Sequence, residues 1–462
     1  MPLCLSELLQ RFVERRPVPV MIRSVLERCV QAERLDAWFD QVSEGQYTRH
    51  LLFSTVFDLV TQVVFRQQRS VHAAYQNGIE QIGVSVSSIY NKLNGLEPSI
   101  SAGLVRESAA QGGALIDQLG APVAPLLPGY RVKVLDGNVL AGCERRLAET
   151  RGQRGAPLPG KSLVVLDPAR GLITDLIPCE DAYTQERALL PAVIEIVQAG
   201  EVWIADRNFC TVAFFQALQA RGAAGLIREH EQIRFTPLEA MRACGHIETG
   251  QVAEQTVRIS ATGTRPALTL RRIGLRLAQP TRQGEVDLYV WTTLPSSAAD
   301  ACTVARLYAT RWRIETAFQK LTVELRCEIN TLGYPRAALF GFATAVVAFN
   351  ALAIVLAAIN TAHDPDTIEQ PVSSYYLGNE MAQMAESLDS LVDDQEWAPF
   401  RHLSSAQFAL WLIDTARRLN LRRYRKHPRG PKKPSAKQVH DISKTHLSTA
   451  RLLAERKKAK AP

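Results

Sequence analysis

No CxxC pair occurs among the eight cysteines (Cys4, Cys29, Cys143, Cys179, Cys210, Cys244, Cys302 and Cys327). Zinc-type spacing and a disulfide framework are therefore both missing, which points to a reducing compartment. The first residues, MPLCLSELLQRFVERR, form an amphipathic helical start and lack the long apolar core of a signal peptide. No internal repeat is found. His230 and His246 have no metal-ligand partners at useful spacing and are expected at the surface. With 46% hydrophobic and 22% charged residues, the composition excludes a disordered or fibrous chain, and 462 residues suit two to four domains.

Charge is present, but unevenly. The formal net charge is +8. From Arg417 onward there are sixteen Lys and Arg against two acids, so residues 1–416 carry −6 and the remainder +14. A mildly acidic body with a cationic tail suits a polyanionic partner. One uncharged run, Ala337 to Ile359, is long enough to cross a bilayer, but nine of its residues are alanine and Gly341, Thr344 and Asn350 interrupt it. It is expected to be a buried core helix rather than a membrane span.

Residues 1–125 show apolar positions at helical spacing, as in LLFSTVFDLVTQVVFR from Leu51. Within them, His72–Leu96 suits a helix–turn–helix, with a helix ending near Gly83 and Ser85 capping the next. Ser87, Ser88, Tyr90, Asn91 and Lys92 would then point outward; a plain helical hairpin fits the same pattern. From Pro128 the texture changes to strands: YRVKVLDGN ending at Asp136, then KSLVVLDP and GLITDLIP around a turn. A helix at Thr184–Gln198 follows, then EVWIADRNF running into Asp206. Acids at strand ends are where open α/β sheets place their chemistry. Residues 226–299 alternate apolar and polar in QVAEQTVRIS, ALTLRRIGLRL and DLYVWTTLP, as an antiparallel insertion does. Helices resume at Asp300, and residues 361–416 suit a further helical module. The tail 417–462 is too polar and Pro/Lys-rich to fold without a partner.

The densest signal is LYATRWRIETAFQKLTVEL, Leu307–Leu325. On one continuous helix, Tyr308, Arg311 and Glu315 fall within about 60° of each other, with Trp312, Ile314 and Phe318 packing on the other sides. Arginine offers a planar fork and tyrosine a hydroxyl for phosphate, while glutamate can ligate a metal. A solvated helix with an Arg–Glu pair is the bland alternative. Asp136, Asp206 and Glu315 could converge as hard oxygen ligands for Mg²⁺ or Mn²⁺. Two such ions activate a water or 3′-hydroxyl on one side of a phosphodiester and stabilise the leaving oxygen on the other. Asp167, Asp175, Glu180 and Asp181 are expected in turns or in solvent, as is Lys161.

In VLDGN at Asp136, IADRNF at Asp206 and YATRWRIE at Tyr308–Glu315, the chain resembles the DDE transposases of bacterial insertion sequences. The similar group is insertion sequence family four, with its Tyr–Arg–Glu–Lys signature, and the likeness spans about residues 128–325. It implies an α/β fold: an RNase H-like catalytic core with a β-rich insertion, flanked by helical N- and C-terminal regions. The implied parts are a DNA-binding region at 1–125, the core at 126–225 and 300–360, the insertion at 226–299, a helical module at 361–416 and the basic tail. It implies a catalytic metal triad of Asp136, Asp206 and Glu315 with two Mg²⁺ or Mn²⁺ ions. Tyr308 and Arg311 would hold phosphates near the transposon terminus.

The signature lysine falls at Thr322; Lys320, two positions early and about 200° around the helix, is a DNA-contact candidate that does not simply replace it. Trp291 is a candidate for stacking on an extruded base or for core packing, and Arg207 for touching DNA or pairing with a carboxylate. Arg422, Arg423, Arg425, Lys426, Arg429, Lys432 and Lys433 would neutralise phosphates; with about six contacts, log affinity falls against log salt at a slope near −5.

The resemblance thus implies cleavage of double-stranded DNA at terminal inverted repeats and transfer of the 3′-hydroxyl ends into target DNA. A homodimer on paired ends, in a bacterial cytoplasm at the nucleoid and without membrane attachment, completes it. Two rivals remain: a metal-dependent nuclease of the same fold, and an inactive relative that only binds DNA, which Thr322 keeps open.

Overall fold

The computed structural model describes residues 5–46, 50–120, 125–261, 263, 266–281, 284–363, 372–426 and 446–460. Seven helices open the chain: α1 Glu7–Arg15, α2 Pro17–Cys29, α3 Ala32–Val42, α4 Phe53–Val64, α5 Val71–Asn77, α6 Val86–Gly95 and α7 Pro98–Gln118. Local chemistry sets their ends. Ser6, Ser70 and Ser85 accept backbone N–H bonds as N-caps of α1, α5 and α6, and prolines occupy the first turns of α2 and α7.

The helix–turn–helix segment contains α5 and α6, but α5 ends at Asn77 rather than near Gly83. Ser87 and Asn91 are exposed as expected. Lys92 is not: its ammonium donates to the Leu51 carbonyl at 3.1 Å and lies 4.6 Å from the Phe39 ring centre. A long aliphatic stem lets lysine join a core while its charge finds a carbonyl and a ring face.

A strand-rich region follows: β1 Arg131–Val139, β2 Pro157–Leu158, β3 Lys161–Asp167, β4 Leu172–Cys179, α8 Leu190–Ile196, β5 Glu201–Ala205, α9 Val212–Ala220 and β6 Ala224–Arg228. Next come β7 Thr236–Pro237, β8 Arg242–Ile247, β9 Gly250–Ile259, β10 Leu268–Leu277 and β11 Asp287–Thr292. These form one ten-stranded mixed sheet in the order β4-β3-β1-β5-β6-β11-β10-β9-β7, with β8 on β9. β1, β5 and β6 are parallel, while β3 and β4 run antiparallel beside β1. The segment that resembles an insertion thus continues the sheet, because β11 pairs antiparallel with β6.

Every residue of β3 is buried, since helices cover both faces. Leu135, Leu163, Val165 and Trp203 face α8 and α9, and their alternating neighbours Val134, Val164, Leu166 and Val202 join the core containing α7.

The chain then forms α10 Ala301–Ala309, α11 Trp312–Val323, α12 Pro335–Ala362, α13 Ser374–Leu391, α14 Ala398–His402 and α15 Ser405–Arg417, and ends in β12 Leu447–Ser448 and α16 Thr449–Lys460. Among the described residues α12 alone is long and apolar enough to span a bilayer, and it is buried over most of its length. Its Asn350 explains one interruption. The side-chain amide accepts from the Ile173 N–H and donates to the Ile173 carbonyl, both at 2.9 Å, completing the ladder of edge strand β4.

Part of the basic tail lies outside the described residues, including Arg429, Lys432 and Lys433. Its far end is not free. Leu447–Ser448 pairs with β2, and Ser448 and Arg451 bond to Asp181 at 2.6 and 2.8 Å.

Two acids expected in turns or solvent are buried in ion pairs. Asp175 takes a two-pronged bond from Arg106, and Asp167 caps the turn before Gly171 while binding Arg170. Lys161 is buried as well, donating to the Thr184 carbonyl at 2.5 Å.

Candidate active site

Strand register brings the first two candidate acids together. Leu135 of β1 pairs with Ala205 of the parallel strand β5, so the next residues, Asp136 and Asp206, lie side by side. Parallel neighbours stand about 4.8 Å apart. The two then diverge. Asp136 sits inside β1, which runs on to Val139, whereas Asp206 ends its strand and caps a short 3₁₀ turn by accepting from the Asn208 N–H at 2.8 Å.

The third acid comes from the long signal helix, which is broken into two. Thr310 and Arg311 separate α10 from α11 in a tightened turn: the N–H groups of Thr310, Arg311, Arg313 and Ile314 each bond three residues back. The Thr310 hydroxyl also takes the Leu307 carbonyl at 2.7 Å, competing with the regular ladder. Even so, Tyr308, Arg311 and Glu315 stay together. The Arg311 guanidinium reaches Glu315 at 2.8 Å and Asp136 at 3.3 Å, and its side chain is only 14% exposed. Its positive charge also acts on the Tyr308 hydroxyl, against the effect of burial.

Burial, chiefly, pushes the Asp136 carboxyl up to about 6; Arg311 and the Gly137 N–H oppose the shift, while Asp206 and Glu186 add to it. Burial likewise pushes the Tyr308 hydroxyl up to about 12. Glu186 is also raised, first by burial and then by Asp206. No sequence pattern marks Glu186: it lies fifty residues from Asp136 in the chain, and only the fold brings it near.

Arg207 lies 3.8 Å from Glu285, within ion-pair reach, and its side chain is 42% exposed. Trp291 is 0% exposed, donates its indole N–H to Glu229 at 3.0 Å and stands edge-on to Phe235, leaving no face for a base. Trp312, expected to pack, is instead 59% exposed with the Arg311 guanidinium 5.5 Å from its ring centre. Three residues before Glu315, it stands beside the polar face of α11 rather than opposite it.

Lys320 is on a different face of α11, in a cavity with Arg313, Glu324 and Phe349. Thr322 returns its hydroxyl to the Phe318 carbonyl, and the Arg66 guanidinium covers the end of α11 with a 3.0 Å bond to Val323. Arg66 is the one described residue other than glycine with a left-handed backbone (φ 62°). Arg422, Arg423 and Lys426 are exposed and Arg425 half-buried.

Residues 127–350 match the model of a protein family described as the transposase DDE domain. The match supports a DDE transposase. It begins just before β1 and ends within α12, so it contains all three carboxylates and both phosphate-binding candidates. At the family level a DDE domain belongs to enzymes that cleave DNA and transfer strands, with DNA as substrate. No curated protein gives a significant match to the chain.

DDE enzymes generally use divalent metal ions, and the donor set here fits one. Asp136, Asp206 and Glu315 offer hard oxygens, and the Arg311 guanidinium already stands as a cation between two of them. As the side chains stand, no three His, Cys, Asp or Glu among the described residues are close enough together to hold an ion.

Proposed function

We propose that this chain is an insertion sequence transposase of family four, built on an RNase H-like core, that cuts DNA at transposon ends and transfers the freed 3′-hydroxyls into target DNA. The in-register pairing of Leu135 with Ala205 carries this reading, because it sets Asp136 beside Asp206 while Arg311 ties Glu315 to the same place. The order β4-β3-β1-β5-β6, three antiparallel strands followed by two parallel ones, supports the RNase H-like assignment.

Asp136, Asp206 and Glu315 would hold two Mg²⁺ or Mn²⁺ ions. When bound, such ions acidify the attacking hydroxyl and neutralise charge on the leaving oxygen. The chain's own part is orientation. Arg311 and Tyr308 are placed to bind a backbone phosphate, and Trp312 offers the exposed aromatic face that Trp291 lacks. Arg207 and the exposed Arg422, Arg423 and Lys426 lend positive charge along the duplex, with Arg425 beside them. Lys320 would serve only DNA passing the far face of α11.

Cutting and joining two ends together calls for a homodimer on paired inverted repeats. A bacterial cytoplasm, at the nucleoid, is the proposed location. Thr322 favours one second reading, a relative that binds DNA without cutting it.

A supercoiled plasmid with and without the element's terminal repeats, incubated with the protein and Mg²⁺, tests the proposal. Cleavage confined to the plasmid with repeats is expected. Equal cleavage of both plasmids identifies a nuclease, and binding to repeats without cleavage identifies the inactive relative.

A further inference from the structure

Gly137, next to Asp136, has no left-handed backbone angle to account for it. Space accounts for it instead. A Cβ at this position would stand 1.9 Å from Oε1 of Glu186 and 2.6 Å from its Cδ, so any other residue would evict the Glu186 carboxylate. That carboxylate lies at the start of the 3₁₀ turn Glu186–Leu189, which leads into α8.

Its neighbour Arg187 donates through Nε to the Asn208 carbonyl, and the Asn208 side chain favours the ionised form of the Glu186 carboxylate. The Asn208 N–H in turn holds Oδ1 of Asp206 at 2.8 Å. Lys161, buried beneath and bonded to the Thr184 carbonyl, is the nearby cation.

We propose that Glu186, seated against Gly137, is a fourth acidic residue of the site, a positioning residue whose negative charge strengthens the site's hold on a divalent cation. The inference rests on the transposase reading above. A carboxylate lodged against Gly137 deepens the negative potential around Asp136 and Asp206, which favours a doubly charged ion over water or a monovalent one. A purely structural clamp needs only the shape of the side chain against Gly137, which an amide shares. Charge and shape are therefore separable.

The test is titration of the purified full-length protein with Mn²⁺ by calorimetry, comparing wild type with Asp136→Asn, Glu186→Gln and Gly137→Ala. Metal-free melting curves check that each variant is folded. Glu186→Gln, which keeps the shape and removes the charge, should weaken Mn²⁺ binding roughly tenfold. Gly137→Ala, which keeps the charge and displaces it, should weaken binding at least as much.

If Asp136→Asn loses Mn²⁺ while Glu186→Gln binds as wild type does, Glu186 is only a clamp and the inference falls, with the metal reading intact. If wild type and Asp136→Asn bind alike, the metal reading itself falls, and this inference with it. Should Gly137→Ala not fold, Glu186→Gln decides alone.

Discussion

In metal-free protein, Asp136→Asn is expected to raise the unfolding free energy at pH 8 by up to about 3 kcal/mol, and to give no gain at pH 4. The sign follows from the raised carboxyl. Burial holds Asp136 at about 6, above its ordinary range near 4, so the folded protein binds this proton more tightly than the unfolded chain does. The stabilisation linked to that proton is complete below about pH 4 and is lost as pH rises through about 6. Above that, the fold carries a buried charge that Arg311 only partly offsets. Asparagine keeps the shape without the charge. The same substitution should abolish metal-dependent cleavage, and a gain in stability coupled to a loss of activity is the mark of a strained functional group. Chemical denaturation at several pH values, with chelator present, measures the first half; equal stability of the two proteins at pH 8 would contradict it.

Arg311→Met is expected to have the opposite sign. The guanidinium is the cation standing between Asp136 and Glu315, and methionine has a comparable reach without charge. Removing one partner from a mostly buried ion network typically costs about 3–5 kcal/mol; because Glu315 is partly exposed, about 2–4 kcal/mol is expected here at pH 8. The loss should shrink toward pH 4 as the carboxylates take up protons. Mn²⁺ should restore stability more in the variant than in wild type, because the ion supplies the charge that the guanidinium no longer does. Thermal melts with and without Mn²⁺ at both pH values read this out. Cleavage should fall as well, since the phosphate contact proposed for Arg311 goes with it.

Much of this architecture is legible in local sequence because local pattern governs it. Ser85 caps α6, the runs at Asp136, Asp206 and 161–179 are strands, and the uncharged alanine-rich run is a buried helix. What the sequence hides is decided at long range or by one competing hydrogen bond. Apolar periodicity runs straight through Thr310, yet its hydroxyl and the tight turn at Arg311 split the helix. Trp312, expected to pack, stands in solvent, while Trp291 takes the core-packing alternative.

Lys92 and Lys161 look solvated by residue type, but each meets a backbone carbonyl inside the fold. The strands after Ala224 read as a separate unit because alternation does not reveal partners, and only the pairing of β11 with β6 joins them to the core sheet. At the site, order and spacing suggest Asp136, Asp206 and Glu315. Glu186 stays invisible, since its relation to Gly137 exists only in three dimensions.

The most direct test of the central claim is cleavage of linear DNA carrying the terminal inverted repeats with Mg²⁺, comparing wild type with Asp206→Ala and Glu315→Ala. Wild type is expected to cut at the repeat boundary, and both variants to bind the same DNA but leave it whole. Cleavage by either variant at the wild-type rate, or a wild type that binds the repeats and is as inert as both, would contradict it.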